Sequence, residues 1–119
     1  MNVNLTGAKL VGTILANANL EGANLSRADF TLAVLFEANL RNSNLSDVDL
    51  SVANLEGADL SNAIAFNAIL HMVNLKNANL TNANLNGTDL FGADLDGAIL
   101  DGAKLLQTKL SCINHSICD

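Results

Sequence analysis

From Leu5 to Leu110, every residue whose number divides by five is leucine, except Phe30 and Ala65. Two places before each, the chain is small: Ala8, Thr13, Ala18, Ala23, Ala28 and onward to Thr108, with Ser43 and Val48 as variants. The residue between is mostly Asn or Asp, as in "ANLEGANLSRADF". A helix cannot use this beat. At about 100° per residue a step of five turns about 140°, so the leucines would circle the helix instead of lining one face. One long strand fails as well, because side chains alternate and successive leucines would point to opposite sides. A three-residue strand followed by a two-residue corner does work. Ala and Leu, two apart, then share one side of the strand, and the corner must bring the next pair inward again.

The second residue of each corner supports that reading. It is Gly at positions 7, 12, 22, 57, 87, 92, 97 and 102, and Asn at 17, 42, 62, 67, 77 and 82. Both types tolerate positive φ, which a type II turn requires there. Leu32, Val52 and Met72 occupy the same slot. Bulky residues resist positive φ, so a different turn type is expected at those three corners. Turning the same way after each short strand makes a coil. Stacked coils pair as parallel strands about 4.8 Å apart. Periodicity alone leaves the number of corners per coil open.

The stretches "ANLEG", "ANLSRADF", "GADL" and "NANLTNANLNG" closely resemble the pentapeptide repeat family, with its A(D/N)LXX consensus, over residues 3–112. The resemblance implies an all-β fold, a right-handed quadrilateral parallel β-helix with four repeats per coil, residue n beneath residue n+20. About five and a half coils would give a rod roughly 26 Å long. Residues 1–119 then form a single domain, with repeats over about 3–112 and a capping tail over about 111–119. The columns Asn4, Asn24, Asn44 and Asn19, Asn39, Asp59, Asn79 are expected to form side-chain ladders between coils.

Function must lie on outward positions or at the ends, because the leucines and alanines point in. The net charge of -6 and the six scattered basic residues argue against a direct nucleic-acid ligand, which needs clustered Lys and Arg. The longest apolar run is a few residues, short of the roughly 20 that cross a bilayer, and no charged segment precedes an apolar one at the start. A soluble cytoplasmic protein without membrane contact is expected. His71 points outward between Ser51 and Phe91 in its column, with Asp49 near. A catalytic triad needs convergent geometry in a concave site, and the uniform repeat inserts no loop to build one. No enzyme, cofactor or metal site is expected.

The tail "SCINHSICD" carries Cys112, His115 and Cys118. Structural zinc sites usually take four protein ligands, and no fourth lies close in sequence. Ile113 and Ile117, four apart, suit a short helical turn laid over the open core, since repeat rods need terminal caps. Reduced thiols are the expectation for a cytosolic chain, with a Cys112–Cys118 disulfide as the alternative. At the other end, Met1 and Asn2 run directly into the first repeat, and an uncovered strand edge invites a homodimer through a coil end.

The stretch "SNAIAFNAIL" misses the beat: residue 65 is Ala, and Phe66 arrives one place late. Either Phe66 stands outside, or a local bulge swings it in to fill the gap; the unchanged frame at Leu70 favours the first. On the four-sided map Leu32, Val52, Ile64, Phe66, Ile69, Met72 and Phe91 face outward near one another, with Val34 and Phe36 around the corner. Contiguous apolar patches often mark binding sites. The expected function is a non-enzymatic scaffold whose rigid surface binds a protein partner that the sequence does not identify. The alternatives are a structural spacer or homo-oligomer, and an acidic DNA mimic acting on a type II topoisomerase. Family members of that last kind resemble long, strongly acidic dimeric rods. This chain is short and interrupts its acids with Lys9, Arg27, Lys104 and Lys109. The family is abundant in cyanobacteria.

Overall fold

From Asn4 to Asp89, each outward lateral residue, the one just before each central position, pairs in parallel with the lateral residue 20 positions on. One column runs Asn4, Asn24, Asn44, Ile64, Asn84, Lys104, and three others run alongside it. The computed structural model describes residues 3–118, and they form an elongated body of 34 × 23 × 20 Å. Each 20-residue step contains four corners, so the stack has four walls. The first wall carries Leu5, Leu25, Leu45, Ala65, Leu85 and Leu105 at its centre. The second carries Leu10 to Leu110, the third Leu15 to Leu95 and the fourth Leu20 to Leu100.

The reason for the five-residue unit appears when its backbone donors are followed one by one. In residues 23–27, Ala23 N–H closes the preceding turn on Leu20 O (3.0 Å). Asn24 N–H reaches back to Val3 O (2.8 Å), while Leu25 and Arg27 N–H reach forward to Asn44 O (2.8 Å) and Ser46 O (2.9 Å). The fifth, Ser26 N–H, is left off the ladder, and Asn24 Oδ1 accepts it at 3.1 Å. The same bond recurs at Thr31 to Asp29, Ser51 to Asp49, Ser61 to Asp59 and Thr81 to Asn79, with the Ser or Thr hydroxyl donating to the same oxygen. Asn or Asp beside the central Leu therefore completes the hydrogen bonding of its own corner. This corrects the expected ladders. Among the lateral asparagines named for them, a bond between coils forms from Asn39 Nδ2 to Asn19 Oδ1 (3.2 Å), while their oxygens chiefly serve the turn.

The second corner residue has positive φ at every corner from Gly7 to Gln107, and its successor closes an i to i+3 bond, the pattern of a type II turn. Leu32, Val52 and Met72 do not escape it, against expectation: their φ values are 62°, 59° and 55°. The ladder decides the matter. Their N–H groups donate to Ser51 O, His71 O and Phe91 O at 3.0, 2.9 and 2.8 Å. Another turn type would swing those donors off the next coil, and the left-handed conformation costs only about 1–2 kcal/mol.

Central leucines from Leu25 to Leu95 and Phe30 are buried, with alanines layered between them. Burying each Leu contributes roughly 1.5–3 kcal/mol. The missed beat leaves the frame intact. Ala65 is 2% exposed and Phe66 45%, and Ile64 still pairs with Asn44 and Asn84. No bulge forms; the ring stands outside. Thr88 lies against the gap and donates its hydroxyl to Ala65 O at 2.8 Å. Val48 and Thr88, larger than the usual Ala, flank Ala68 in the next inner column.

The C-terminal tail differs from the helical turn expected of it. Ser111 O accepts from Gly92 N–H as a first corner residue should. The second corner residue is missing, so Cys112 enters the inner position below Ala93 and is 4% exposed. Ile113 becomes the last lateral residue, paired with Asp94, and it faces outward. Only Ile117 of the two isoleucines packs on the core end, together with Cys118. The thiols are not reduced: Cys112 and Cys118 form a disulfide. The N-terminal expectation concerns Met1 and Asn2, which lie outside the described residues.

Candidate protein-interaction surface

The register places the seven apolar candidates on two adjoining walls and the corner beyond. Ile64 and Phe66 flank Ala65 on the first wall. Across the corner at Asn67, Ile69 lies on the second wall in the same coil. Met72 occupies the corner leading to the third wall, with Val52 and Leu32 in the same column, and Phe91 is one coil on. All seven are exposed, from 38% at Ile69 to 60% at Met72. Half-buried Val34 and Phe36 continue the surface on the third wall. At the other limit of the column, a Cβ on Gly92 would come within 3.0 Å of Met72 Cγ. Glycine at 92 thus gives the methionine room to lie flat.

Two stabilising devices of the fold are relinquished here. Val34, Ile64 and Ile69 stand where Asn or Asp would accept the following N–H, so Phe36, Phe66 and His71 lose that acceptor. Each such bond is worth about 0.5–1.5 kcal/mol. At the corner, Leu32, Val52 and Met72 replace Gly or Asn in the left-handed conformation. Apolar side chains are thus displayed where polar ones or glycine would make the fold more stable.

His71 sits within the patch. Its Nε2 is 2.7 Å from Asp89 Oδ2, and its ring meets Phe91 edge-on with centroids 6.1 Å apart. Asp89 also accepts Phe91 N–H (3.1 Å), and Lys109 Nζ is 3.9 Å from it. Burial pushes the Asp89 carboxyl up, but the His71 and Phe91 hydrogen bonds and the charges of His71 and Lys109 together hold it below the usual carboxylate value. Ser51 Oγ donates to Asp49 Oδ1 at 2.6 Å and is not bonded to His71, so Ser51, His71 and Asp49 do not form a relay. The sequence reading missed Asp89. Its signal was available, because residue n+18 lies diagonally across from n in the next coil. It also passed over other exposed apolar residues: Val11, Ile14, Ile99 and Leu106. Leu106 is two coils from Phe66 in the same column, with Asn86 between.

Two further carboxyls are held low. Asp29 is lowered by the Thr31 hydroxyl and N–H, against burial, with help from Lys9. Asp94 is lowered by the Asn114 side chain, against burial, with help from Asp96 N–H and Lys76. Among the described residues no pocket opens and no cluster of His, Cys, Asp and Glu is arranged for a metal. Convex, flat-walled geometry of this kind can offer area to another macromolecule.

A family model for pentapeptide repeats (8 copies) matches residues 1–35, 33–71 and 68–107. Similar solved structures include HetL, a pentapeptide repeat protein involved in heterocyst differentiation regulation in the cyanobacterium Nostoc sp. strain PCC 7120. It is 33% identical, with a TM-score of 0.81 over 95% of this chain and 62% of that one. The pentapeptide repeat protein Rfr23 from the cyanobacterium Cyanothece 51142 is 30% identical, with a TM-score of 0.77 over 98% of this chain and 88% of that one. A pentapeptide repeat protein of the Arabidopsis thaliana thylakoid lumen is 29% identical, with a TM-score of 0.50 over 80% of this chain and 66% of that one. No curated protein matches.

Proposed function

Because the chain belongs to the pentapeptide repeat family, we propose that it is a non-enzymatic interaction scaffold. In this reading a right-handed rod of about five and a half coils presents one apolar surface to a protein partner in the cytoplasm. Leu32, Val52, Ile64, Phe66, Ile69, Met72 and Phe91 form the contact. The observation that carries the reading is the exchange described above. Apolar residues cluster on adjoining positions where the fold itself is better served by Asn, Asp or Gly. Scattered exposed apolar residues need no explanation; a cluster that forgoes turn acceptors and occupies the left-handed region does.

The test compares the wild type with a Phe66→Ser, Met72→Asn, Phe91→Ser triple variant as bait in extract of the native cell. Quantitative mass spectrometry is read beside thermal melts. The expected result is selective loss of a stoichiometric partner with little change in melting. If the variant retains the same partners at the same level, this surface is not the contact. If the wild type instead sediments as a dimer that the variant abolishes, the surface serves self-association.

A further inference from the structure

We infer that the Cys112–Cys118 disulfide is a redox-reversible latch, which holds residues 114–118 over the C-terminal end of the core until a dithiol reductant opens it. One sulfur is anchored. Cys112 is buried, and the backbone around it is tied to the preceding coil by Gly92 N–H to Ser111 O (2.7 Å), Ile113 N–H to Ala93 O (2.9 Å) and Leu95 N–H to Ile113 O (3.1 Å). The other sulfur is more accessible and less tied to the rod. Cys118 closes a turn on His115 O (3.0 Å) and remains partly exposed.

Noncovalent ties run out before the tail does. Asn114 Nδ2 donates to Asp94 Oδ1 (3.0 Å), and His115 Nε2 donates to Ala98 O (3.2 Å). That second bond leaves His115 Nδ1 to accept Ile117 N–H at 3.3 Å. Beyond His115, among the described residues, the hold on the rod is the packing of Ile117 and Cys118 and the covalent bond itself. Beneath lie the partly buried Leu100, Leu105 and Leu110 and the last unladdered backbone edge. The disulfide is therefore the decisive fastening of the cap, and it fastens little else.

The opening step balances as a thiol–disulfide exchange. A thiolate of the dithiol attacks Cys118 Sγ, the more accessible sulfur, and the bond to Cys112 breaks. Cys112 leaves as a thiolate and takes up a proton, with Leu110 O an acceptor 3.4 Å away. The second thiol of the reductant then displaces Cys118 from the mixed disulfide. The reductant ends as its own disulfide and the chain gains two thiols. A reducing cytoplasm favours the open form and an oxidising compartment the closed one.

Hydrogen exchange by mass spectrometry on the full chain tests this, comparing the oxidised protein, the protein incubated with dithiothreitol, and Cys118→Ser. Thiol titration under native conditions runs in parallel. The expected result is release of two thiols without denaturant. Exchange should quicken by at least about tenfold in peptides from 95 to 118, with 20–90 unchanged. Oxidised glutathione should restore protection to the reduced wild type and not to Cys118→Ser. The inference is overturned if dithiothreitol releases no thiol from the folded protein, if the tail is equally protected after reduction, or if protection is lost along the whole rod.

Discussion

The corner column Leu32, Val52, Met72 allows backbone strain to be separated from side-chain packing, and Val52 at its middle is the best place to do so. Its φ is 59°, where a non-glycine, non-asparagine residue carries about 1–2 kcal/mol of strain. Its side chain is about half exposed, at 50%. Truncation should then forfeit about half the value of a buried Val, near 1 kcal/mol. Val52→Ala loses that packing and keeps the strain, so it should cost about 1 kcal/mol. Val52→Asn loses the same packing, but Asn is at ease with positive φ, so the two terms nearly cancel. The expected difference is about 1–2 kcal/mol in favour of Asn, or roughly 4–8 °C for a chain of this size. Urea unfolding followed by circular dichroism measures it. Equal midpoints for the two variants would show that the corner carries no strain, and the case for apolar residues held there at the fold's expense would go with it. If the reasoning holds, Val52→Asn should also weaken partner binding while leaving stability nearly unchanged.

Other consequences follow from the same geometry. Gly87→Ala would place a Cβ against Asn67 Oδ1, whereas a Cβ at Gly7 meets nothing within 4 Å; both carry the positive-φ cost, so Gly87→Ala should be the more destabilising, by about 1 kcal/mol or more in urea midpoints. Ser43 is fully buried and its Oγ finds no hydrogen-bond partner among the described residues, so Ser43→Ala should raise stability by about 1 kcal/mol in the same assay, and a loss would reveal a hidden partner. Asp29, Asp89 and Asp94 have lowered pKa values in the fold. Their stabilising contribution is complete above the ordinary carboxylate value near 3.9 and is lost as pH falls through their lower folded values. Melting temperature should drop over that acid range. The Asp29→Asn, Asp94→Asn variant, which keeps both turn acceptors, should drop less steeply, and an unchanged slope would assign acid sensitivity elsewhere.

Inward-facing residues were legible because burial repeats with the chain. A Leu on every fifth residue and Ala two before it exclude a helix and a long strand, and Phe30 and Ala65 keep their central positions on the second and first walls. Outward polar residues were harder, since period says where a side chain starts and not where its oxygen ends. Asn24 could reach Asn44 across the coils or Ser26 along its own chain. An orphan N–H waits at Ser26, 3.1 Å from the oxygen, so the turn wins. Leu32, Val52 and Met72 were misjudged for a related reason. Local preference was weighed alone, although a corner N–H committed to the next coil outweighs it. The pairing of His71 with Asp89 runs diagonally between coils, 18 residues apart, and so is hidden from a straight column of 20. The disulfide is not legible from compartment and composition, because it depends on a local change of register. The missing corner residue before Cys112 turns that side chain into the core and brings Cys118 over it.

The same accounting gives the missed beat its meaning. Within a five-residue unit the inner two positions are fixed by packing, and the lateral and second corner positions by hydrogen bonding and φ. The first corner residue alone is free, and in most units it is Ser, Thr, Lys, Glu or another polar residue. Between Ile64 and Met72 the chain gives up a central Leu and two lateral acceptors and places a thioether in the left-handed region. The resulting losses fall within a single coil. The register nevertheless survives unchanged, because the ladder bonds before and after Ala65 hold without those contributions. A rod with many equivalent coils can tolerate one weakened coil, since each coil is supported by neighbours on both sides. Variation of this kind is tolerated best in the interior of the stack, where this coil lies. The apolar surface is therefore placed where the fold bears its cost most readily, midway along the rod and facing two walls at once.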